Sequence, residues 1–204
     1  MDILHSLTSA FNPKAVAVVG ASDRPGSRGS FVWSGVMNGR RVHEAYPVNP
    51  KYKYIGVTSC WPSLSEVPAK IDLAVFATPS SKIEGLLKEC KKLAIPNVLI
   101  TPGDEELTAD RRWRERIAQM AREAGIRLIG PDSMGIMRPS IGLNVSYWPH
   151  LAQTGSIGLL CQSGAITAAV LEYADRSGIG FSTVISSGLE SEVSLAEMID
   201  FLVA

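Results

Sequence analysis

The sequence is poor in the residues that build disulfide frameworks and metal centres, with three cysteines and three histidines in 204 residues. Cys60, Cys90 and Cys161 lie far apart and form no C-x-x-C pair, which argues against a disulfide scaffold and favours a reducing compartment. The histidines are His5, His43 and His150. They stand in unrelated contexts, and no cluster of His, Cys and Asp has metal-ligand spacing, so we expect no bound metal.

Charge of one sign and long apolar runs are also lacking. Lys and Arg total 20, and so do Asp and Glu, so no overall field attracts the protein to nucleic acid or to an anionic membrane. No apolar run approaches the roughly 20 residues of a membrane span. Residues 1–6 have neither the basic start nor the apolar stretch of a signal peptide. We therefore expect a cytoplasmic protein with no nucleic-acid or membrane partner.

What the sequence does contain is an apolar, β-branched run at residues 15–19, which ends abruptly in a loop rich in Gly, Ser and Arg at 20–29. Such a run predicts a buried parallel strand that leads through a turn into a helix. At that junction free backbone N–H groups and the positive end of the helix attract phosphate. The sequence therefore predicts a cofactor that carries phosphate.

Apolar runs alternate with helical periodicity along the first part of the chain. Strands are predicted at residues 15–19, 45–48, 71–77, 97–101 and 127–129, and helices at 31–38, 80–93 and 104–124. This alternation predicts an α/β fold in which residues 1–135 form a Rossmann-like, doubly wound parallel sheet.

A second, smaller unit is predicted at residues 155–204, after a connection at 136–154 that lies in a stretch rich in Pro and Gly. Its strands are predicted at 157–161 and 181–186. One helix follows residues 162–165 and runs to about 176, where glycines close it, and another covers 194–203. Two parallel strands make a poor core. We therefore expect that the sequence is part of a longer polypeptide, or that a partner surface completes this unit.

The phosphate loop does not have the fingerprint of a nicotinamide dinucleotide site. The spacing of Gly20, Gly26 and Gly29 does not match G-x-G-x-x-G, and residues 49–51 after the second strand (Asn-Pro-Lys) include no carboxylate for the ribose hydroxyls of NAD. A lysine there suits a ribose that carries a phosphate, as in NADP or coenzyme A.

The basic residues of these loops leave two interpretations open. Arg24, Arg28 and Lys51 can bind phosphates, or each can be a solvated surface charge. On the residues alone NAD is disfavoured, while NADP and other phosphorylated nucleotides, coenzyme A among them, remain candidates.

Several ordered motifs together resemble a known family. They are residues 11–22 (FNPKAVAVVGAS), 46–52 (YPVNPKY), 72–79 (DLAVFATP), 142–144 (GLN), 162–165 (QSGA) and 178–182 (GIGFS). These segments resemble the CoA-binding region of ADP-forming (NDP-forming) acyl-CoA synthetases, relatives of the succinyl-CoA synthetase α-subunit. Bacterial GNAT-type protein lysine acetyltransferases share the module. The resemblance implies a CoA-binding Rossmann-like unit followed by part of a flavodoxin-like, succinyl-CoA synthetase-like unit.

The resemblance also implies a role for each matching residue. The residues implied to bind CoA or acyl-CoA are Gly20, Ser22, Arg24, Gly26, Ser27, Arg28, Asn49, Pro50, Lys51, Ala77, Thr78, Pro79, Thr101, Pro102 and Gly103. Residues 22–28, in the first loop, would surround the CoA phosphates. Residues 49–51 would flank the ribose and its 3′-phosphate, and residues 101–103 would lie near the pantetheine. Ser163 and Gly164 are implied to bind phosphate at a helix start, and the plainer alternative is a serine N-cap with a packing glycine.

The sequence departs from the family in ways that bear on acyl transfer more than on CoA binding. Residues 101–104 are Thr-Pro-Gly-Asp in place of a Ser-Ala-Gly-Phe-like turn, and 130–133 are Gly-Pro-Asp-Ser in place of Gly-Pro-Asn-Cys. Both changes introduce a carboxylate, at Asp104 and Asp132. The family's phosphorylated histidine lies well beyond the helix that starts at Ser163, so we expect no catalytic residue in this chain.

The sequence is therefore compatible with three functions. The leading one is the CoA-binding module of an ADP-forming acyl-CoA synthetase, which makes acyl-CoA from acid, CoA and ATP through a phosphohistidine. ATP or ADP, and either further C-terminal domains or an ATP-grasp subunit, would belong to the whole enzyme, and a homo-oligomer is compatible with it. The alternatives are an acyl-CoA-binding regulatory region of a GNAT-type lysine acetyltransferase and an NADP-binding oxidoreductase domain.

Overall fold

A computed structural model describes residues 3–39, 44–101, 103 and 105–203. The helices are α1 (Ile3–Phe11), α2 (Arg28–Asn38), α3 (Ile83–Lys92), α4 (Glu105–Ala109), α5 (Arg111–Ala124), α6 (Gly164–Ser177) and α7 (Leu195–Val203). The strands are β1 (Ala15–Val19), β2 (Glu44–Val48), β3 (Tyr54–Ile55), β4 (Thr58–Ser59), β5 (Leu73–Phe76), β6 (Asn97–Ile100), β7 (Arg127–Ile129), β8 (Gly135–Arg138), β9 (Leu143–Ser146), β10 (Thr154–Cys161) and β11 (Phe181–Ser186). They form a five-stranded sheet, a four-stranded sheet and the hairpin β3–β4.

The first sheet is parallel throughout, with the strand order β2-β1-β5-β6-β7. Its core lies on both faces: Val16 and Val18 of β1 pack with Phe11 of α1, while Ala17 and Val19 pack with the inner sides of α3 and α5. The strand order reverses between β1 and β5, which opens a crevice at the carboxyl ends of these two strands. The predicted doubly wound sheet is confirmed.

The helix predicted at residues 104–124 is in fact two helices, α4 and α5, and that prediction was wrong. Asp110 adopts an extended conformation between them, and its carboxylate caps α5 by accepting a hydrogen bond from the Arg112 amide at 2.9 Å. Gly125, with a φ of 67°, ends α5. Asp104 lies outside the described residues.

The second sheet contains strands that the sequence did not predict. Its order is β10-β11-β8-β9, in which β10 and β11 are parallel and β8 pairs antiparallel with both β11 and β9. The strands β8 and β9 lie in the Pro- and Gly-rich stretch that was interpreted as a connection. Glycine or polar residues interrupt both strands (GIMR and LNVS), so neither is a continuous apolar run in the sequence. The expectation of a core with only two strands is thereby corrected.

Contacts of α1 and of α2 hold the second sheet against the first part of the chain. Phe11 of α1 stacks on Phe201 of α7, with 4.4 Å between the ring centroids. The helix α2 lies against β9 so closely that a Cβ on Gly35 would come within 3.2 Å of the backbone oxygen of Asn144. The helix that carries the predicted phosphate loop at its start is therefore held directly on the second sheet.

Candidate functional site

The loop that follows β1 is shaped by two glycines. Gly20 has a φ of 89°, and a Cβ at this position would lie 2.5 Å from the backbone oxygen of Ala77. A Cβ on Gly29, in the first turn of α2, would overlap the backbone oxygen of Gly20. Glycine at both positions therefore lets the start of α2 sit directly against the ends of β1 and β5. The first amide groups of α2, which have no partner within the helix, are thus placed beside the crevice.

The remaining residues of this loop divide into anchors and exposed groups. Ser22 is buried, and its hydroxyl accepts a hydrogen bond from the Arg24 amide at 3.0 Å. Ser27 caps α2 by accepting a hydrogen bond from an amide in the first turn at 3.2 Å. Gly26 and the side chains of Arg24 and Arg28 are exposed. The loop therefore exposes two cations, Arg24 and Arg28, while hydrogen bonds of Ser22 and Ser27 hold its backbone in place.

The loop after β2 is tied to the loop after β1 by Asn49. Its side-chain amide donates to the backbone oxygen of Ala21 at 2.8 Å, and its Oδ1 accepts from the Lys51 amide at 3.0 Å. These two hydrogen bonds hold Pro50 and Lys51, both exposed, next to the first loop. The structure thus brings together the residues that were predicted separately at 22–28 and 49–51.

A cleft of about 610 Å³ opens beside the first loop, between α2 and the hairpin β3–β4. Phe31 and Trp33 of α2, together with Ile55 and Val57 of the hairpin, give it apolar walls, and Ser22 also lines it. Apolar walls with a few polar groups are typical of small-molecule sites. The sequence did not predict these four apolar residues, because the hairpin and α2 are brought together only in the folded chain.

The end of β5 contributes a buried hydroxyl without a partner. Thr78 Oγ1 is buried and has no hydrogen-bond partner among the described residues. Ala77 is buried against Gly20, and Pro79 is exposed. Buried polar atoms nearly always have a partner, so an unpaired hydroxyl next to the phosphate loop fits a ligand that supplies one.

The end of β6 lies one strand farther from the first loop. Thr101 is buried, and its hydroxyl donates to the backbone oxygen of Phe76 at 2.7 Å. Gly103 lies so close to Ser80 that a Cβ on it would overlap the Ser80 hydroxyl. Pro102, predicted with these two, lies outside the described residues.

A second cavity, of about 550 Å³, lies at the start of α6. Ser163 caps the helix by accepting a hydrogen bond from the Ile166 amide at 3.4 Å, and Gly164 is the first helical residue. Asp132 lines the same cavity. The helix start attracts an anion whereas the Asp132 carboxylate repels one, so the cavity is less favourable to a bare phosphate than the helix alone would make it.

Tyr147 lies between the two predicted sites. It lines the cavity at the start of α6, and its ring centroid is 6.1 Å from that of Phe31 on α2. Burial raises the pKa of the phenol, the hydrogen bond to Thr101 and the charge of Arg28 act in the opposite direction, and Asp132 adds to the increase. Arg28, from the start of α2, and Asp132, from the loop after β7, therefore both act electrostatically on Tyr147. Tyr147 was not predicted from the sequence, because it belongs to no motif and falls in the stretch interpreted as a connection.

Other kinds of site are not formed by the described residues. They bring no three metal-ligating side chains together, and none of their helices is long and apolar enough to span a membrane. Cys60 and Cys90 are buried, and burial raises the pKa of the Cys90 thiol to about 12, so this thiol is protonated at neutral pH.

A doubly wound parallel sheet with a glycine-shaped loop at the reversal of strand order is the architecture of a nucleotide-binding α/β protein, here joined to a second α/β unit. Residues 14–139 match the CoA binding domain, and residues 154–204 match the succinyl-CoA ligase like flavodoxin domain. The first match covers more than half of the chain, which therefore belongs to the CoA binding domain family.

Two relatives that are similar over nearly the whole of this chain are CoA ligases. The chain is 32% identical to acetate–CoA ligase (ADP-forming) I of Archaeoglobus fulgidus, over 94% of this chain and 28% of that protein. It is 30% identical to the α subunit of acetate–CoA ligase (ADP-forming) I of Pyrococcus furiosus, over 96% of this chain and 44% of the subunit.

A solved structure agrees with these relatives. The apo dinucleotide-forming acetyl-coenzyme A synthetase 1 of Ca. Korarchaeum cryptofilum superposes with a TM-score of 0.91 at 29% identity, over 96% of this chain and 43% of that one. The chain thus spans less than half the length of these relatives. The predicted resemblance to ADP-forming acyl-CoA synthetases and the predicted fold class are confirmed, while the roles of the single site residues stay predictions.

Proposed function

We propose that this chain is the CoA-binding part of an ADP-forming acyl-CoA synthetase, an enzyme that makes acyl-CoA from an acid, CoA and ATP. The observation that carries the proposal is the position of Lys51, which Asn49 holds beside the phosphate loop of β1 and α2. A cation there, in a segment (residues 49–51) that includes no carboxylate, suits a ribose phosphate next to a pyrophosphate. The match to the CoA binding domain family supports the same ligand.

Each group of residues has a part in holding CoA. The amides at the start of α2, with Arg24 and Arg28, bind the pyrophosphate, and Lys51 binds the 3′-phosphate. The apolar cleft between α2 and the hairpin takes the adenine, and the Thr78 hydroxyl gains a ligand partner. Bound CoA supplies the thiol that accepts the acyl group. The described residues of this chain orient the coenzyme, and none of them is assigned a catalytic role.

The rest of the enzyme lies on other segments or chains. The start of α6, at Ser163 and Gly164, receives a phosphate carried by a histidine from outside this chain, with ATP and ADP bound by an ATP-grasp partner. The description of one relative as an α subunit supports a second subunit. A homo-oligomer is compatible with the same proposal.

The two alternative functions have less support. The relatives and the solved structure reported above are CoA ligases or synthetases, and none is a nicotinamide-dependent oxidoreductase or a lysine acetyltransferase. Calorimetric titration with CoA, NADPH and ATP separates the candidates. We expect heat of binding with CoA and none with NADPH. Binding of NADPH without a response to CoA would contradict the proposal.

A substitution at Lys51 tests the ribose phosphate directly. We expect Lys51→Ala to weaken CoA binding about tenfold, the value of one charge-assisted hydrogen bond at an exposed site, and to leave 3′-dephospho-CoA nearly unchanged. Lys53→Ala is the matched control, since Lys53 is also an exposed lysine, two residues away, and its replacement should affect neither ligand. Equal losses for both ligands in Lys51→Ala would show that Lys51 does not contact that phosphate.

A further inference from the structure

The hydroxyl of Tyr147 is a hydrogen-bond donor held by a weak partner. The single proton of the Thr101 hydroxyl is used in its 2.7 Å bond to the backbone oxygen of Phe76, so in the contact between the two hydroxyls Tyr147 donates to Thr101. That contact measures 3.3 Å, whereas hydrogen bonds between oxygens are usually about 2.7–2.8 Å. The Tyr147 hydroxyl can therefore donate its hydrogen bond to a better-placed acceptor instead, at little cost.

The surroundings of the phenol define what such an acceptor can be. The cavity that Tyr147 lines also has Met134 and Leu189 in its wall, which gives room for a small apolar group. Asp132, in the same wall, disfavours a second negative charge. Because burial keeps the phenol protonated at neutral pH, the group offered to a ligand is a donor. A short, neutral group with one exposed acceptor oxygen satisfies all three conditions.

The cavity lies next to the predicted CoA site. Arg28, at the start of α2, acts electrostatically on Tyr147, and Phe31 of the same helix faces its ring. Thr101, which holds the phenol, lies at the carboxyl end of β6, on the same edge of the sheet as the phosphate loop. A flexible chain that starts at the phosphates of the first loop and follows this edge therefore ends beside Tyr147.

We propose that Tyr147 is a specificity-determining residue that donates a hydrogen bond to the carbonyl oxygen of an acyl-CoA thioester, so that this chain distinguishes acyl-CoA from a CoA derivative of the same size without a carbonyl. The proposal rests on the proposed CoA-binding function. It concerns recognition of the thioester and adds no chemical step.

The test compares three ligands by calorimetry: CoA, acetyl-CoA and S-ethyl-CoA, a thioether in which a methylene replaces the carbonyl. We expect the unsubstituted chain to bind acetyl-CoA about fivefold more tightly than S-ethyl-CoA, the difference that one hydrogen bond makes. Tyr147→Phe should abolish this preference and leave the affinity for CoA unchanged. Unchanged CoA binding also shows that the variant is folded.

The control is Tyr173→Phe, which removes the same hydroxyl from an exposed tyrosine on α6 and should keep the fivefold preference. A preference that persists in Tyr147→Phe, or that is missing in the unsubstituted chain while CoA still binds, overturns the role of Tyr147 alone. No binding of CoA at all overturns the proposed function, so the two failures are distinguishable.

Discussion

Gly29 shows how one missing side chain decides the shape of the phosphate loop. Its Cα faces the backbone oxygen of Gly20, and both atoms belong to main chain that cannot rotate out of the way. The same contact sets the distance between the start of α2 and the ends of the central strands. The glycine is therefore a structural requirement of the site and not only a flexible position.

Replacement of Gly29 by alanine should consequently destabilise the protein. We expect Gly29→Ala to lower the free energy of unfolding in urea by about 2–3 kcal/mol, as overpacking against rigid backbone does. Gly85→Ala is the matched control, because Gly85 also lies in a helix but has open space around its Cα, and it should raise stability by about 0.5–1 kcal/mol. A Gly29→Ala variant as stable as the unsubstituted chain would show that the loop has another conformation.

The residues of the site differ in how far the sequence could predict them. Residues 22–28 and 49–51 follow strands, so their meeting at one edge of the sheet follows from the parallel topology alone. Tyr147 and Trp33 enter the site through contacts between segments distant in sequence. Nothing in the local pattern marks such residues, since an aromatic side chain is equally typical of an ordinary core.

At the scale of elements, the strands that the sequence predicts most readily are those buried on both faces of the sheet. The runs at β1 (AVAVV) and β5 (LAVF) are continuous and apolar, which is the pattern that a parallel strand between two helical layers requires. The strands β8 (GIMR) and β9 (LNVS) include glycine or polar residues, so neither is a continuous apolar run. The break between α4 and α5 was missed because Asp110 is compatible both with a charged helix surface and with a cap, and only its backbone conformation distinguishes them.

At the scale of the whole molecule, a group of three charges joins the two sheets. Arg127 of β7 contacts Glu192 at 3.3 Å and Glu197 of α7 at 2.6 Å, and all three side chains are mostly buried. Burial alone would raise the pKa of Glu197, but hydrogen bonds from Ser194 and Arg127 together hold it below its ordinary value. A carboxyl group of this kind adds stability that is present above its unfolded pKa and is lost as the pH falls through the folded one.

Removal of the shared cation should therefore weaken the whole molecule in a pH-dependent way. We expect Arg127→Leu to lower the free energy of unfolding by about 3 kcal/mol at neutral pH, because two buried carboxylates lose their partner. The difference from the unsubstituted chain should shrink as the pH falls through the lowered pKa of Glu197, because the protonated carboxyl group no longer carries a charge that the cation stabilises.

Arg111→Leu provides the comparison, since its ion pair with Glu115 is exposed and should contribute less than about 0.5 kcal/mol. Denaturation curves of both variants between neutral and acidic pH give the measurement. If the loss in Arg127→Leu were as small as in Arg111→Leu, the three charges would not hold the sheets together.

In the function proposed above, the crevice at the ends of β1, β2 and β5 holds the nucleotide end of coenzyme A. A crystal structure of this chain grown with CoA would show whether it does. We expect the pyrophosphate beside the amides that begin α2 and the 3′-phosphate within contact of the Lys51 ammonium. Coenzyme bound elsewhere, or a crevice filled by the protein's own side chains at saturating CoA, would contradict the account.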